Sequence, residues 1–496
     1  PEESSIHSKM TKTIPVITAV LCLWLSTSAL KCNNPFSGVE VTILHTNDIH
    51  SHLNAEEEGT ERNPYGLGGL ARLKTLADKL RSKNENSIML DAGDWSEGTV
   101  YFNNDGGSNM LRLFHAMGYD AAVVGNHDFF NGPVEIANTI ERAAVSMPVL
   151  GANKNVSDPA LAPHKDRINK LIPDYTIITT KNKIRIAVIG VICTDFNYYD
   201  YFKPAVVTEG VAAASAITKK IHDENLADVV VLLSHNSIDY NKMLAKYVPY
   251  VNVVISGHSH VKTPKPIEIM NANQPVYVAE TGQWGQFLGS MTLLVDTGRR
   301  QVRLKEYALN PVEKSLTVNP TIYKLVEAEM TALKNKMGKD IFTDNVADIH
   351  DEMPQQENRE STIANLAADS YRFAAKADIA LEINSLIGVG ISPGPLSTFE
   401  LMNIQPHVYS PATNMTWMLR TLSLPGAQIR LLLNAVLLAH GNKEGGAWVS
   451  TSGLRVAYSL SSKNNKDLLP IKTIDVLDRQ KGSYSPLNDA QNYTVV

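Results

Sequence analysis

The alternation of short apolar segments with amphipathic ones, from Val39 to about Asn310, constrains the fold of this chain more than any other feature. The apolar segments are rich in Val, Ile and Leu, and they predict strands at Val39–Thr46, Ser87–Leu90, Ala121–Val124, Ile184–Ile192, Val229–Leu233 and Val251–Ile255. A strand that is apolar on both faces must be covered on both faces, and helices between the strands supply that cover. The pattern therefore predicts an α/β domain with buried sheets.

Amphipathic segments with apolar residues at helical spacing separate these strands. They predict helices at Leu67–Arg81, Met110–Met117, Val134–Ala144 and Val211–His222. Two later segments, Gln274–Glu280 and Met291–Tyr307, predict further strands, and Thr297-Gly298 within the second predicts a hairpin turn.

The texture of the sequence changes near Pro320. An amphipathic helix at Thr321–Lys336 and the polar stretch after it predict a connector, and helix and strand patterns then resume. We therefore expect a first domain over residues 38–315, a connecting helix and linker over 316–357, and a smaller α/β domain over 358–496.

Composition excludes several classes of protein. With 496 residues, of which 44% are hydrophobic, the chain can bury more than one core. Its 46 Lys and Arg residues are outnumbered by 51 Asp and Glu residues and form no basic stripe, so we expect no nucleic-acid partner. Three cysteines are too few for a disulfide framework, and Cys32 and Cys193 can pair or stay free.

The first residues have the pattern of an export signal. Lys12 and an apolar run from Ile14 to Leu25 precede small residues that end at Ala29. The run is shorter than the roughly 20 residues that span a membrane, and a buried N-terminal helix is the alternative. We predict that residues 1–29 are a leader and signal peptide, and that the protein is secreted and extracellular with no membrane anchor visible in the sequence.

Metal-capable side chains cluster directly after predicted strands. The clusters are His45-Thr46-Asn47-Asp48-Ile49-His50, Asp91-Ala92-Gly93-Asp94, Gly125-Asn126-His127-Asp128, Ser234-His235-Asn236 and Gly257-His258-Ser259-His260. The carboxyl ends of strands in an α/β domain meet at one edge of the sheet, where ligands bind. Any one of these histidines alone is more simply a core or surface residue, but clusters after five strands favour a shared site.

The donors in these clusters suit a pair of divalent metal ions. Asp48 and His50 lie two residues apart and can share one ion if their segment is extended. Asp94 can bridge two ions. The other candidate ligands, which offer oxygen or nitrogen but no thiolate, are Asn126, His235, His258 and His260. This set suits Zn²⁺ or Mn²⁺ and leaves Ca²⁺ and Mg²⁺ open, and paired ions are a standard device for phosphate ester hydrolysis.

The segment Ile43–His50, together with Gly125-Asn126-His127 and Gly257-His258-Ser259-His260, resembles the 5′-nucleotidase family of calcineurin-like metallophosphoesterases. That family includes secreted apyrases of blood-feeding arthropods. The resemblance is very specific in the first domain and weaker in the second. It implies a four-layer α/β/β/α metallophosphoesterase domain and a smaller C-terminal α/β domain that binds the nucleoside.

The resemblance also implies roles for individual residues. Asp48, His50, Asp94 and His260 match the ligands of one metal ion, and Asp94, Asn126, His235 and His258 match those of the other. His127 matches the catalytic histidine that assists attack on phosphorus. In the second domain, Arg359 matches an arginine that contacts substrate, and Asn384 matches a nucleoside contact.

The sequence departs from the family pattern in both domains. The family motif Gly-Asn-His-Glu-Phe-Asp ends in an Asp that orients the catalytic histidine, where this chain has Phe130. We therefore expect His127 to act with a water or a backbone partner. The stretch Asn384–Ser392 lacks a family arginine, and Ala412 stands where an aromatic side chain normally stacks on the base. The second such aromatic would lie beyond Val496, so we expect that the C-terminal domain is truncated.

These patterns predict a secreted metal-dependent hydrolase that releases phosphate from extracellular nucleotides, as 5′-nucleotidases and apyrases do. The substrate can be AMP, ADP or ATP. Two alternatives stay open. One is a catalytically weakened nucleotide-binding protein of the same fold, which Phe130 and the altered second domain favour. The other is a phosphatase or phosphodiesterase with a different substrate.

Overall fold

A computed structural model of the chain describes residues 38–55, 65–272, 274–406, 419–441, 448–459 and 470–496. The predicted leader and signal peptide, Cys32 and Ala412 lie outside the described residues. Within the described part of the chain, no helix is both long enough and apolar enough to cross a membrane.

The first part of the chain alternates strands with helices, as predicted. The strands are β1 (Val39–Thr46), β2 (Ser87–Asp91), β3 (Ala121–Val123), β4 (Val149–Leu150), β5 (Lys154–Asn155), β6 (Tyr175–Thr179), β7 (Arg185–Val191), β8 (Val206–Val207), β9 (Val229–His235), β10 (Val253–Gly257), β11 (Ile267–Asn271), β12 (Gln274–Ala279), β13 (Phe287–Asp296) and β14 (Gln301–Pro311). The helices are α1 (Leu70–Arg81), α2 (Ser108–Met117), α3 (Gly132–Ala143), α4 (Lys165–Leu171), α5 (Gly210–Asp223) and α6 (Ile238–Tyr247). The hairpin turn predicted at Thr297-Gly298 joins β13 to β14.

Two six-stranded sheets organise this part of the molecule. The first has the order β14-β13-β1-β2-β3-β4, with β1 to β4 parallel and β13 and β14 antiparallel. The second has the order β11-β12-β10-β9-β7-β6, with a parallel centre and an antiparallel strand at each edge. The parallel centres of both sheets direct the carboxyl ends of their strands to the site described below.

β-Branched and other apolar residues from both sheets form one core between them. Val41 and Ile43 of β1 belong to the same buried cluster as Val188 of β7 and Val231 of β9. Helices α1 to α3 pack on the outer face of the first sheet, and α5 and α6 pack on the outer face of the second. The four-layer α/β/β/α arrangement is therefore confirmed.

The later part of the chain forms a second α/β domain. Its helices are α8 (Thr362–Ala375), α9 (Thr398–Ile404) and α10 (Gly426–Gly441), which follow α7 (Pro320–Met337). Its strands form short pairs and one three-stranded sheet: β15 (Ala347–Ile349) with β17 (Gly394–Leu396), β16 (Ala380–Ile383) with β19 (Val449–Ser452), β18 (Leu422–Pro425) with β23 (Asn492–Val495), and β20 (Leu454–Tyr458), β21 (Ile471–Asp478) and β22 (Ser483–Pro486).

The predicted connecting helix corresponds to α7, and it is packed against the first domain. Asn319 caps its first turn by accepting hydrogen bonds from the N–H groups of Thr321 and Ile322. Its buried residues Ile322, Val326 and Leu333 belong to the core cluster beneath α1 and α2. This helix therefore extends the first core in addition to connecting the two domains.

Candidate metal centre

The predicted metal ligands converge at the carboxyl edge of the two sheets. Asp48 and His50 follow β1, Asp94 follows β2, Asn126 follows β3, His235 ends β9, and His258 and His260 follow β10. Within each of three groups, the ligand atoms lie within 4.8 Å of one another: Asp48 with His50 and His260, Asp94 with His235 and His258, and His50 with Asp94 and His127. His50 belongs to the first and third of these groups, and Asp94 belongs to the second and third. The three groups therefore adjoin.

Distances within the first group suit a common cation. Asp48 Oδ1 lies 3.2 Å from His260 Nε2 and 3.8 Å from His50 Nε2. His50 Nε2 also lies 3.7 Å from Asp94 Oδ2, which connects this group to the second. Asp94 therefore lies between the two groups.

The second group adds the amide oxygen of Asn126. Asp94 Oδ2 lies 3.0 Å from His235 Nε2. Asn126 Oδ1 lies 3.1 Å from the same nitrogen and 2.9 Å from His258 Nδ1. The structure thus brings all seven predicted ligands together.

Hydrogen bonds on the far side of two rings orient them as metal ligands. His50 Nδ1 contacts the carbonyl oxygen of Glu97 at 2.5 Å, and His235 Nδ1 contacts that of Ala92 at 2.7 Å. A ring nitrogen that donates to a carbonyl carries the proton, so Nε2 of each ring presents a lone pair to the site.

The charge of the site also fits divalent cations. Asp48 and Asp94 are fully buried, and the ion-pair partners that surround them in the described residues are histidines. Buried carboxylates require compensating positive charge. The donor set and its charge therefore suit a metal centre.

Without metal, protons on histidine balance part of this charge. Burial alone lowers the pKa of His235, but Asp94 and Asp48 outweigh burial and raise this pKa to about 10. Burial dominates at His50 and lowers its pKa to about 3, so this ring is neutral. A cation beside Asp94 would replace the proton on His235, and metal binding would therefore release protons.

The backbone bends sharply at the ligand positions. Asp48 and His50 have φ angles of 52° and 51°, so the segment after β1 is a left-handed turn and the prediction of an extended segment is wrong. The two side chains reach one group because both residues adopt this rare conformation. Positive φ angles also occur at Asp94, His258 and His260. Backbone strain of this kind clusters at functional sites, where the surrounding packing holds it in place.

Gly125 allows the loop after β3 to approach Asp94. A Cβ atom at this position would lie 2.2 Å from Asp94 Oδ1, which is far inside contact distance. The N–H of His127 donates to the same oxygen at 2.8 Å. The glycine therefore permits the contact that places His127 beside the bridging carboxylate.

His127 lies at the rim of the ligand cluster. Its Nε2 is 4.0 Å from Asp94 Oδ2, and 18% of its side chain is exposed. Its Nδ1 is bonded to the carboxylate of Glu97, in the loop after β2. The expectation of a water or backbone partner for His127 is therefore wrong, because a side-chain carboxylate takes that position.

Asp128 does not supply the missing carboxylate. It accepts hydrogen bonds from the backbone N–H groups of Gly125, Asp94 and Ser96, and from the Ser96 hydroxyl. Glu97 was missed in the sequence because nothing local links it to a histidine 30 positions later. The available signal was an acidic residue three positions after the bridging Asp94.

Arg359 of the second domain lines a cavity beside a predicted metal ligand. It lines a cavity of about 450 Å³ together with Ser259, His260 and Lys262 of the first domain. Two cationic side chains therefore border the same space as a predicted metal ligand. Glu357 also lines this cavity and offsets part of their charge, and the positive charge that remains suits an anionic group.

The predicted nucleoside contact Asn384 lies in the interior of the second domain. Its side chain is fully buried, and its amide nitrogen donates to the carbonyl oxygens of Gln356 and Arg359 at 3.0 and 2.7 Å. Its amide oxygen accepts from the N–H of Ser450 at 3.1 Å. The side chain supports the Arg359 segment, and these bonds give no indication of the nucleoside contact that we predicted.

Comparisons with known proteins agree with both domains. Residues 41–262 match the calcineurin-like phosphoesterase family, and residues 342–496 match the 5′-nucleotidase C-terminal domain. The chain is 25% identical to the trifunctional nucleotide phosphoesterase protein YfkN of Bacillus subtilis, over 92% of this chain and 31% of that protein. It therefore spans less than a third of the length of that relative.

Two further similarities extend over most of both proteins. The chain is 24% identical to the snake venom 5′-nucleotidase of Naja atra, over 92% of this chain and 89% of the venom protein. Its fold resembles the crystal structure of a 5′-nucleotidase precursor from Thermus thermophilus, with a TM-score of 0.73, 22% identity, and coverage of 92% of this chain and 89% of that one.

Proposed function

Because the chain belongs to the 5′-nucleotidase family of calcineurin-like phosphoesterases, we propose that it is a secreted hydrolase that uses two divalent metal ions to release phosphate from extracellular nucleotides. One observation carries the proposal: three groups of Asp and His side chains that can hold a metal ion adjoin, because His50 and Asp94 each belong to two of them. The nucleotide-hydrolysing relatives and the cationic cavity beside His260 support it.

The ligands divide into two sets that share Asp94. Asp48, His50, Asp94 and His260 would hold one ion, and Asp94, Asn126, His235 and His258 would hold the other. When bound, divalent ions at this site would polarise phosphoryl oxygens and activate water near neutral pH. The protein prepares the site by burying the carboxylates and by directing Nε2 of His50 and His235 inward.

His127 is the proposed catalytic residue outside the ligand sets. Since Nδ1 is bonded to Glu97, Nε2 is the nitrogen that can face a bound phosphoryl group. In its protonated form this nitrogen donates a hydrogen bond to an oxygen on which negative charge develops during attack. Burial alone lowers the pKa of His127, but Asp94 and Glu97 raise it to about 9, which favours that donor form.

The second domain supplies the proposed substrate contact. The Arg359 guanidinium is exposed in the cavity and can bind a phosphate by paired hydrogen bonds. Lys262 borders the same cavity and adds positive charge, which Glu357 partly offsets. We propose domain limits of 38–315 and 358–496, with residues 316–357 as the connector.

Secretion is part of the proposal. It rests on the signal-like pattern of residues 1–29 and on similarity to a 5′-nucleotidase that is named as a venom protein.

The test is phosphate release from AMP, ADP and ATP by the purified chain, with and without a chelator. We expect release that the chelator abolishes and added Zn²⁺ or Mn²⁺ restores, and the ranking of substrates then separates a nucleotidase from an apyrase. Nucleotide binding without release would favour the weakened binding protein. Faster release from a generic phosphate ester than from any nucleotide would favour a phosphatase of other specificity.

A further inference from the structure

We propose that Glu97 is the residue that positions His127, in place of the Asp that the family carries at the position of Phe130. This inference rests on the proposed function, because it assigns the orientation of the proposed catalytic histidine. Its observable core is the bond between the Glu97 carboxylate and His127 Nδ1.

Glu97 is placed for this role by complete burial. It lies in the loop after β2, three residues beyond Asp94, and none of its surface is exposed. A buried carboxylate bonded to an imidazole restrains both the rotation of the ring and the position of its proton. With Nδ1 occupied by Glu97, Nε2 of His127 points toward the side of the site that holds Asp94 Oδ2.

One residue thereby aligns two histidines with different proposed roles. The backbone carbonyl of Glu97 contacts Nδ1 of the metal ligand His50, and its side chain contacts Nδ1 of His127. The two rings lie 4.8 Å apart at an angle of 89°. Because the contact to His50 uses the backbone, a change of the Glu97 side chain leaves that contact in place.

Phe130 stands at the position where the family has a carboxylate, and it packs against other aromatic rings. Its ring lies 4.6 Å from the His127 ring at 72° and 4.8 Å from the Tyr201 ring at 72°. It is 8% exposed, so this position contributes to aromatic packing. The His127 ring thus contacts an aromatic side chain at one place and a carboxylate from another loop at Nδ1.

The first experiment replaces Glu97 by the isosteric, uncharged Gln. The Gln amide offers a donor as readily as an acceptor, so the ring orientation and proton position are no longer specified. In Glu97→Gln we expect kcat for nucleotide hydrolysis to fall by about 10–100-fold, with KM and bound metal little changed. The matched control is Glu141→Gln on α3, whose exposed carboxylate pairs with Arg167, and it should keep the wild-type rate.

Rescue separates positioning from general support of the fold. Adding Phe130→Asp to Glu97→Gln returns a carboxylate to the family position and should recover part of the lost kcat. Because Phe130 is buried, the melting temperature of each variant is measured together with its rate, to detect a loss of folding. Glu97→Asp is a second variant that keeps the negative charge, and it should retain more activity than Glu97→Gln. The proposal would be overturned if Glu97→Gln lost bound metal as well as kcat. It would also be overturned if Glu97→Asp and Glu97→Gln had equal rates.

A proton NMR spectrum tests the same bond without substrate. An imidazole N–H bonded to a buried carboxylate gives a resonance far downfield of the backbone amides, and the one absent from His127→Gln identifies His127. We expect this resonance to be lost in Glu97→Gln and kept in Glu141→Gln. Its survival in Glu97→Gln would overturn the proposal. A wild-type chain that shows this resonance but releases no phosphate would instead count against the proposed function alone.

Discussion

The proposed metal edge of the first domain and the proposed substrate side of the second differ in what determines the position of their residues. At the metal edge, each ligand lies at or just beyond the end of a strand whose neighbours and direction are set by a six-stranded sheet. In the second domain, Asn384 follows β16, which pairs only with β19, and Arg359 lies in the segment between β15 and α8. One of these two predicted contacts is exposed in the cavity, and the other is fully buried.

This difference shows where residue type alone predicts chemistry. A polar residue that follows a buried parallel strand is held at the carboxyl edge of the sheet. Asp94 and His235 therefore meet although they are far apart in sequence. A polar residue beside a short strand pair or in a loop can contact a ligand or support the backbone. Asn384 supports the backbone of Arg359, and Arg359 is the exposed side chain proposed to contact the substrate.

The largest expected effect is at Asp94, the residue shared by both proposed ligand sets. Asp94→Ala should abolish metal binding and phosphate release together, because both groups lose an oxygen donor and buried negative charge. The rate should fall by more than the roughly 100-fold that loss of an outer-sphere partner can cost. Metal analysis and phosphate assays check this, with Asp174→Ala, an exposed carboxylate on Lys154, as the control. A variant that keeps both metal and activity would break the assignment of the metal edge.

The next effect is steric. Gly125→Ala places a methyl group against Asp94 Oδ1, and relief of that contact must move the bridging carboxylate or the His127 loop. We expect about 1–3 kcal/mol of lost stability and a large loss of kcat. Gly298→Ala makes the same change where the nearest atom is 3.5 Å away, and it should behave as wild type. Equal melting temperatures and rates for the two variants would show that the approach of the loops is not needed.

On the substrate side, Arg359→Ala should weaken nucleotide binding and leave the metal in place. A charged hydrogen bond contributes about 1.5–3 kcal/mol, so KM should rise by about 10–150-fold with a smaller change in kcat. Arg430→Ala, which removes a guanidinium paired with Asp489 in the same domain, is the control. An unchanged KM would mean that the cavity beside His260 does not bind the substrate.

The smallest effect on catalysis is expected at Asn384. Asn384→Ala leaves the N–H of Ser450 and the carbonyls of Gln356 and Arg359 without their partner, at a cost of about 1–3 kcal/mol in folding free energy. The melting temperature should therefore fall, while Asn345→Ala, a change at an exposed Asn, should leave it unchanged. A raised KM with an unchanged melting temperature would restore Asn384 as a nucleoside contact.

The sequence was most informative where hydrophobic pattern and sheet geometry act together. β1 has the predicted bounds, and the predicted hairpin turn at Thr297-Gly298 joins β13 to β14. Helix α6 was missed because its sequence is polar, although Ser237 caps its first turn by accepting from the N–H of Tyr240. The cap was the available signal for this helix.

Two features of the site could not be predicted from the sequence, for physical reasons. The left-handed conformation of Asp48 and His50 is imposed by contacts with other loops, such as the bond from the N–H of Asp48 to the carbonyl of Gly93. The pairing of Glu97 with His127 joins loops after two different strands, and no local periodicity encodes it. Both depend on how the strand ends meet, which only the assembled sheets determine.

The most direct test of the account is to remove metal from the wild-type chain and to return it in measured amounts. Phosphate release from the preferred nucleotide is followed as Zn²⁺ or Mn²⁺ is added to the metal-free protein. We predict no release without metal and a rise that saturates at two ions per chain. Full release from the metal-free protein, or saturation at one ion, would contradict a centre built on two ligand groups joined at Asp94.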